Sequence, residues 1–290
     1  MKVLSTFRDF FVPLVLCIAV SCNKANTDTA PAVAIADSHV EVSSRSAMIS
    51  VSLDIKGGAT ALYCGVLVSG KGSPQTDPEA VTKQVKMSKE SIYEFNVTDL
   101  QPTGKYYFQP FVQMYDLTYV YGEEKTFTTL AARNLDGHEF VDLGLKSDTK
   151  WAVFNMTLPD GTDLLPGNDL SSEVRKQWGN SWHMPSKADW EELMDDCFWS
   201  WDVQGGMQGM LVRGVNGNTL FLPASGYMAQ GKIMQYNDYG TYWTSDAAES
   251  NPGCLWCLFF GMDFVYWNPF YQVCQACVRP VTKATIYDYD

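Results

Sequence analysis

The sequence predicts a β-rich, α+β protein of two units, an antiparallel β-sandwich followed by an α+β domain. Between residues 38 and 130, short segments alternate apolar and polar side chains with turn residues between them, the period of half-buried strands. Beyond residue 137, tryptophans, glycines and loops dominate. Inside that region Ser186 heads a run with helical spacing. At 290 residues the chain is long enough for two cores, and its hydrophobic and charged fractions, 46% and 19%, are those of a folded protein. A formal charge of −12 repels phosphate backbones and argues against nucleic-acid partners.

At the N-terminus, Lys2 and Arg8 precede the apolar run FFVPLVLCIAV. A membrane-spanning helix needs roughly 20 residues, so this run is too short to cross and suits a signal-peptide core. It ends in AVSC, which resembles the lipobox of bacterial lipoproteins, with Ala19 where that family prefers Leu. The resemblance implies a signal peptide over 1–21, acylation of Cys22, and a lipid anchor at the bacterial outer membrane or cell surface; an ordinary secretory signal with an incidental cysteine is the alternative. Either way the chain leaves the cytoplasm for a compartment in which disulfides are permitted. Residues 22–37, small and polar, read as a tether.

The sandwich spans 38–130. In LQPTGKYY, Leu100, Pro102 and Tyr106 resemble the tyrosine corner of fibronectin type III domains, and YGEEKTFTT resembles that family's last strand. The resemblance implies a spacer module in which the Tyr106 phenol ties back to the chain upstream. Cys64, at a strand centre, is expected to be a buried small hydrophobe.

In the second unit EFVDLGL, KWAVFN, GNSWHMPSKADWEELMDDCFW, NGNTLFLPASGY, GTYWTS and CVRPV follow one another in an order similar to the FISUMP (major paralogous) domain of bacterial surface proteins. WHMPSKADWEEL also resembles a stretch of the formylglycine-generating enzymes. Both resemblances imply a C-type-lectin-like fold over 137–284, with two short helices and a small twisted sheet, leaving 285–290 as a tail. From the residues themselves, Ser186 caps a helix running to about Asp196, Asp189 completes a capping box, and Trp190, Leu193 and Met194 share one face while Lys187 lies on the solvent side. Asn216-Gly217 signals a type I′ hairpin. Gly226 and Gly240 admit backbone positions closed to other residues, and Arg279 is expected to pin a loop by bonding carbonyls.

Catalytic patterns are missing. No G-x-S-x-G, H-E-x-x-H, P-loop or GxGxxG occurs, and none of His39, His138 and His183 has a nucleophile at motif spacing. Asp160, Asp163 and Asp169 cluster without the spacing of an EF-hand and read as a solvated acidic loop. The EPN and WND elements of calcium-dependent lectins are absent apart from a faint YND at 236–238. The chain is therefore read as a non-enzyme with no cofactor and no metal.

Four cysteines stand out: Cys254, Cys257, Cys274 and Cys277 form CxxC-x16-CxxC, inside the window of zinc sites. Strand alternation, however, sends Cys254 and Cys274 inward and Cys257 and Cys277 outward, so four sulfurs do not surround one ion, and a Cys257–Cys277 disulfide between neighbouring strands is the competing reading. Between them lies an aromatic run of which alternation buries only half, so Trp256, Phe259, Phe264, Tyr266, Trp267, Phe270 and Tyr271, with Asp263, are the expected ligand-binding residues. Several of these positions carry residues permitted in the variable proteins of diversity-generating retroelements, which this segment resembles and which display hypervariable residues on a C-type-lectin-like domain. The functional expectation is a surface lipoprotein that binds a protein or glycan ligand. A structural or adhesin-assembly component is the alternative, and a metal-dependent oxidase or zinc protein stands behind it.

Overall fold

The computed structural model describes residues 32–57, 59–157 and 161–284. The signal peptide, Cys22, the tether up to residue 31, Asp160 and the tail 285–290 lie outside the described residues. No helix among the described residues is long and apolar enough to cross a membrane. The described chain is mostly antiparallel β-sheet.

The first unit contains β1 (Ala32–Val42), β2 (Ala47–Lys56), β3 (Ala61–Ser69), β4 (Val81–Lys86), β5 (Ile92–Val97), β6 (Lys105–Met114), β7 (Tyr119–Tyr121) and β8 (Lys125–Thr128). One sheet has the order β1-β2-β5; the other has the order β4-β3-β6-β7, with β8 also paired to β6. Period two decides which residues meet: Ala47, Ile49, Val51 and Leu53 of β2 point inward and join Cys64, Val66, Phe95, Phe108 and Val112 in one core. Each such aliphatic side chain, fully buried, contributes about 1.5–3 kcal/mol. Burial pushes the Cys64 thiol up to about 12, as befits a small core hydrophobe. The Tyr106 hydroxyl accepts the Gln101 N–H at 2.8 Å, the tie expected of it, with Leu100 buried beside it.

The expected tether is shorter than its composition suggests. Residues 32–37 belong to β1, where Val33 and Ile35 pair with Ile55 and Leu53 and pack on the core. Small residues around them hide an alternation that the core reads.

The second unit contains β9 (Arg133–Leu135), β10 (His138–Asp142), β11 (Lys150–Ala152), β12 (Leu164–Pro166), α1 (Leu170–Trp178), α2 (Lys187–Asp196), β13 (Phe198–Gln204), β14 (Met207–Arg213), β15 (Thr219–Pro223), β16 (Tyr227–Ala229), β17 (Lys232–Met234), β18 (Gly240–Ala247), β19 (Cys254–Gly261), β20 (Phe264–Tyr271), β21 (Gln275–Cys277) and β22 (Val281–Thr282). It thus begins at Arg133, a few residues before the expected boundary. A small sheet, β22-β11-β10-β9, joins the end of the unit to its beginning. A second is β13-β14-β15; the largest has the order β17-β16-β21-β18-β19-β20, with β12 on β21.

The large sheet is buried on both faces at its centre. Tyr242, Leu258, Phe260 and Cys277 pack on one side with Trp151 and with Trp190 and Leu193 of α2. Trp243, Cys257, Phe259, Ala276 and Val278 pack on the other with Leu170, Val174 and Trp178 of α1. Strands covered on both sides read as continuous apolar runs. This is why YWT and CLFF carry no polar partner at alternate positions.

The α2 terminus follows its capping signal. The Ser186 side chain accepts the Asp189 N–H at 3.1 Å, and the Asp189 carboxylate accepts the Ser186 N–H at 2.9 Å. The hairpin at Asn216-Gly217 forms, but only Gly217 has positive φ, so the turn is not type I′. Asn216 accepts the Asn218 N–H and donates to the Asp142 carbonyl, which holds it out of the left-handed region. Gly226 has φ +72, and a Cβ there would lie 2.2 Å from the Met234 carbonyl oxygen; at Gly240 it would lie 2.0 Å from the Phe260 ring.

Candidate functional site

The candidate site is the hairpin β19–β20. Gly261 opposes Phe264 across the Met262-Asp263 turn, and β20 forms the edge of the large sheet, with β19 as its one neighbour in the strand order. Residues directly opposite share a face. The register therefore puts Trp256, Leu258 and Phe260 with Pro269, Trp267 and Val265, and Cys257 and Phe259 with Asn268, Tyr266, Phe264 and Phe270.

The eight expected ligand-binding residues consequently do not form one surface. On the first face, half-buried Trp256 and Trp267 lie under the Lys187 ammonium, 4.6 and 5.2 Å from the two ring centroids. Lys187 was expected in solvent; instead its chain crosses both rings, a cation–π contact worth about 0.5–1 kcal/mol. On the second face Phe259 is only 4% exposed and belongs to the core, a correction to its expected role. It is the floor of an aromatic cluster. Tyr266 stacks on it at 5.5 Å and 7°, Phe270 meets it edge-on at 5.4 Å, and Phe264 lies 5.4 Å from Tyr266. Tyr266 is 46% exposed, with Phe264 and Phe270 half-buried. Burial, aided by the Tyr239 and Tyr227 phenols, raises the Tyr266 hydroxyl above its ordinary value, so it stays a neutral donor. Asp263 is exposed at the turn, and Tyr271, 64% exposed, stands at the opposite end.

Two members of this cluster escaped the sequence reading. Tyr239 meets Phe264 at 4.8 Å and Tyr227 meets Phe270 at 5.4 Å, both edge-on. Their signal was adjacency to Gly226 and Gly240, read there only as backbone.

The expected Cys257–Cys277 disulfide does not form. β18 runs between β19 and β21, so the two residues are two strand spacings apart, about 10 Å. A disulfide needs Cα atoms about 4.4–6.8 Å apart. The Cys257 thiol donates to the Tyr242 carbonyl at 3.0 Å on one side of the sheet, while the Cys277 thiol lies 3.7 Å from the Asp163 carboxylate on the other. Burial raises both thiols well above their ordinary value, which makes them poor nucleophiles. All cysteines among the described residues are free, and no group of three or more His, Cys, Asp or Glu there is placed to hold a metal.

Arg279 meets its expectation. It is 1% exposed; its guanidinium donates to Asn155 Oδ1 at 2.8 Å and to the carbonyls of Ala152, Val153 and Phe221. Asp163, expected in a solvated loop, is instead bound by Asn155 at 3.1 Å and Ser225 at 2.7 Å, whereas Asp169 is exposed. His183 is structural, exchanging backbone bonds with Val281 at 3.0 and 2.9 Å.

No protein-family model matches the chain, and no curated protein matches it. Among solved structures, the sensor domain of the anti-sigma factor RsgI4 of Pseudobacteroides cellulosolvens is similar over 35% of this chain and 95% of its own, at 20% identity and a TM-score of 0.27. The third fibronectin III domain of human KIAA0343 is similar over 40% and 96%, at 14% identity and 0.25. TarS of S. aureus covers 89% of this chain with 36% of its own, at 9% identity and 0.21.

Proposed function

We propose that this chain is a non-enzymatic, exported lipoprotein of the bacterial envelope whose second unit binds a protein ligand through the aromatic face of the β19–β20 hairpin. In this reading the first unit is a fibronectin III-like spacer, favoured by its two-sheet order and the Tyr106–Gln101 tie. The second is a FISUMP domain of C-type-lectin-like fold, favoured by its two helices and by the pairing of its last strand with β11. The carrying observation is the row Phe264, Tyr266 and Phe270 with Tyr227 and Tyr239, partly open to solvent and seated on buried Phe259. Rings held by a packed floor lose little freedom on binding, and the phenols supply hydrogen bonds at the rim.

The test is capture from surface extracts by the wild-type chain and by a Phe264→Ala/Tyr266→Ala variant of unchanged melting temperature. A ligand retained by the first and lost by the second supports the reading; equal capture refutes it. The hypervariable resemblance belongs to this reading too, and a near-copy of the DNA encoding residues 243–281 beside the gene is its expected mark. The edge position of β20 favours a second reading, a subunit of a larger assembly, which concentration-dependent self-association in sedimentation would support.

A further inference from the structure

A cleft of about 530 Å³ lies between the two units, on a part of the molecule that none of the hairpin's aromatic residues lines. Its size is that of a small-molecule site, and clefts between domains are preferred places for one. The cleft is held open by contacts between the units. Arg45 makes three hydrogen bonds to the Glu139 carboxylate at 2.7–3.0 Å, and Ser46 and Thr219 share a hydrogen bond of 2.9 Å.

The floor is polar, made of buried Arg279, Asn155 and Ser225 and the half-buried Asp163 carboxylate between the last two. Ser225, as a donor to Asp163, keeps lone pairs able to accept from a ligand hydroxyl, and a carboxylate has acceptor capacity beyond two bonds. The walls are mostly apolar, with Leu130 and the 56% exposed ring of Phe154 at the rim, the Arg45 guanidinium lying over that ring 5.1 Å from its centroid.

Charge narrows the ligand class. The ionisable lining residues are three arginines, Arg45, Arg133 and Arg279, and three aspartates, Asp99, Asp142 and Asp163, so their formal charges cancel. The Arg279 guanidinium is occupied by carbonyls and Asn155, and that of Arg45 by Glu139. Neither is available to seize a phosphate or carboxylate, and the Arg133 guanidinium lies over the Phe140 ring at 5.2 Å. We infer that this inter-unit cleft is a second binding site, and that it takes a neutral sugar, whose hydroxyls meet the Asp163–Ser225–Asn155 floor and whose apolar ring face lies on Phe154.

The experiment is saturation-transfer NMR of the purified chain with a panel of free neutral mono- and disaccharides, followed by titration of the strongest. At least one sugar is expected to receive transfer and to bind about tenfold more weakly to Phe154→Ala, as the loss of one aromatic contact dictates. Ser225→Ala is expected to weaken it as well, while Tyr266→Ala leaves it unchanged. The exposed Phe154 and Tyr266 are sites where a substitution leaves the fold intact, which melting curves check. No transfer from any sugar overturns the inference, as does binding that Phe154→Ala leaves unaltered. Binding abolished by Tyr266→Ala instead would move the sugar to the hairpin and overturn the second site while sparing the first.

Discussion

Arg279 shows what a single residue can hold. Four groups from three segments, residues 152–153, 155 and 221, converge on one buried guanidinium. Replacing it with leucine leaves those acceptors without their donor, and a loss of about 1–3 kcal/mol in chemical denaturation is expected; a loss below about 1 kcal/mol would show the bonds to be dispensable. Lysine does not rescue it, because a single ammonium does not reproduce the planar fork. The Arg279 role was legible in VRPV because a charged residue inside an apolar strand has few other uses. The Asp163 role was not, since its partners Asn155 and Ser225 lie 8 and 62 positions away. The cysteines make the complementary point. Native-state alkylation is expected to label half-buried Cys197 and Cys274 before Cys64, Cys254, Cys257 and Cys277, read by mass spectrometry. Early labelling of Cys257 would contradict its burial between two sheet faces.

The hairpin β19–β20 separates structural from exposed aromatics. Phe259→Ala removes a ring from the core and is expected to cost about 3–5 kcal/mol, whereas Tyr266→Ala, on the same face but at the surface, is expected to cost less than about 1 kcal/mol. Equal costs in denaturant melts would erase the distinction between floor and rim. Alternation along the strand was readable, and so was the α2 capping box. The number of covered faces was not. Period two says which residues share a face; whether a face meets water depends on α1 and α2, which are remote in sequence. That is why Phe259 was expected at the surface and why Lys187 was not expected over Trp256 and Trp267. Helix α1 left a signal of its own in Leu170, Val174 and Trp178, four residues apart and all buried.

At the scale of the molecule, the two units are joined by a short segment and braced by Arg45. Arg45→Ala leaves Glu139, whose side chain is 8% exposed, without its partner. A cost on the order of 2 kcal/mol is expected, read as calorimetric separation of the two units' transitions; one unchanged transition would mean the brace is not needed. Stability should also fall in mild acid. Burial holds His138 and His183 below the ordinary imidazole value of 6.5, so both are neutral in the fold. Their contribution is intact above pH 6.5 and is lost as pH falls from there through their folded values. Melting temperature is therefore expected to drop as pH falls below 6.5. A His138→Gln/His183→Gln variant should flatten that slope, and an identical slope would assign it to other groups.

By itself the sequence determined the local terms: strand alternation in the first unit, the Ser186 cap, the tie of Tyr106 and the demand of Arg279 for carbonyls, each set by neighbours within a few residues or by one side chain's chemistry. Only the tertiary structure decided which strand lies between Cys257 and Cys277, which rings of the hairpin face water, and that a cleft separates the two units. Those outcomes depend on strand order and on what packs over each face, and side-chain periodicity along a chain contains neither.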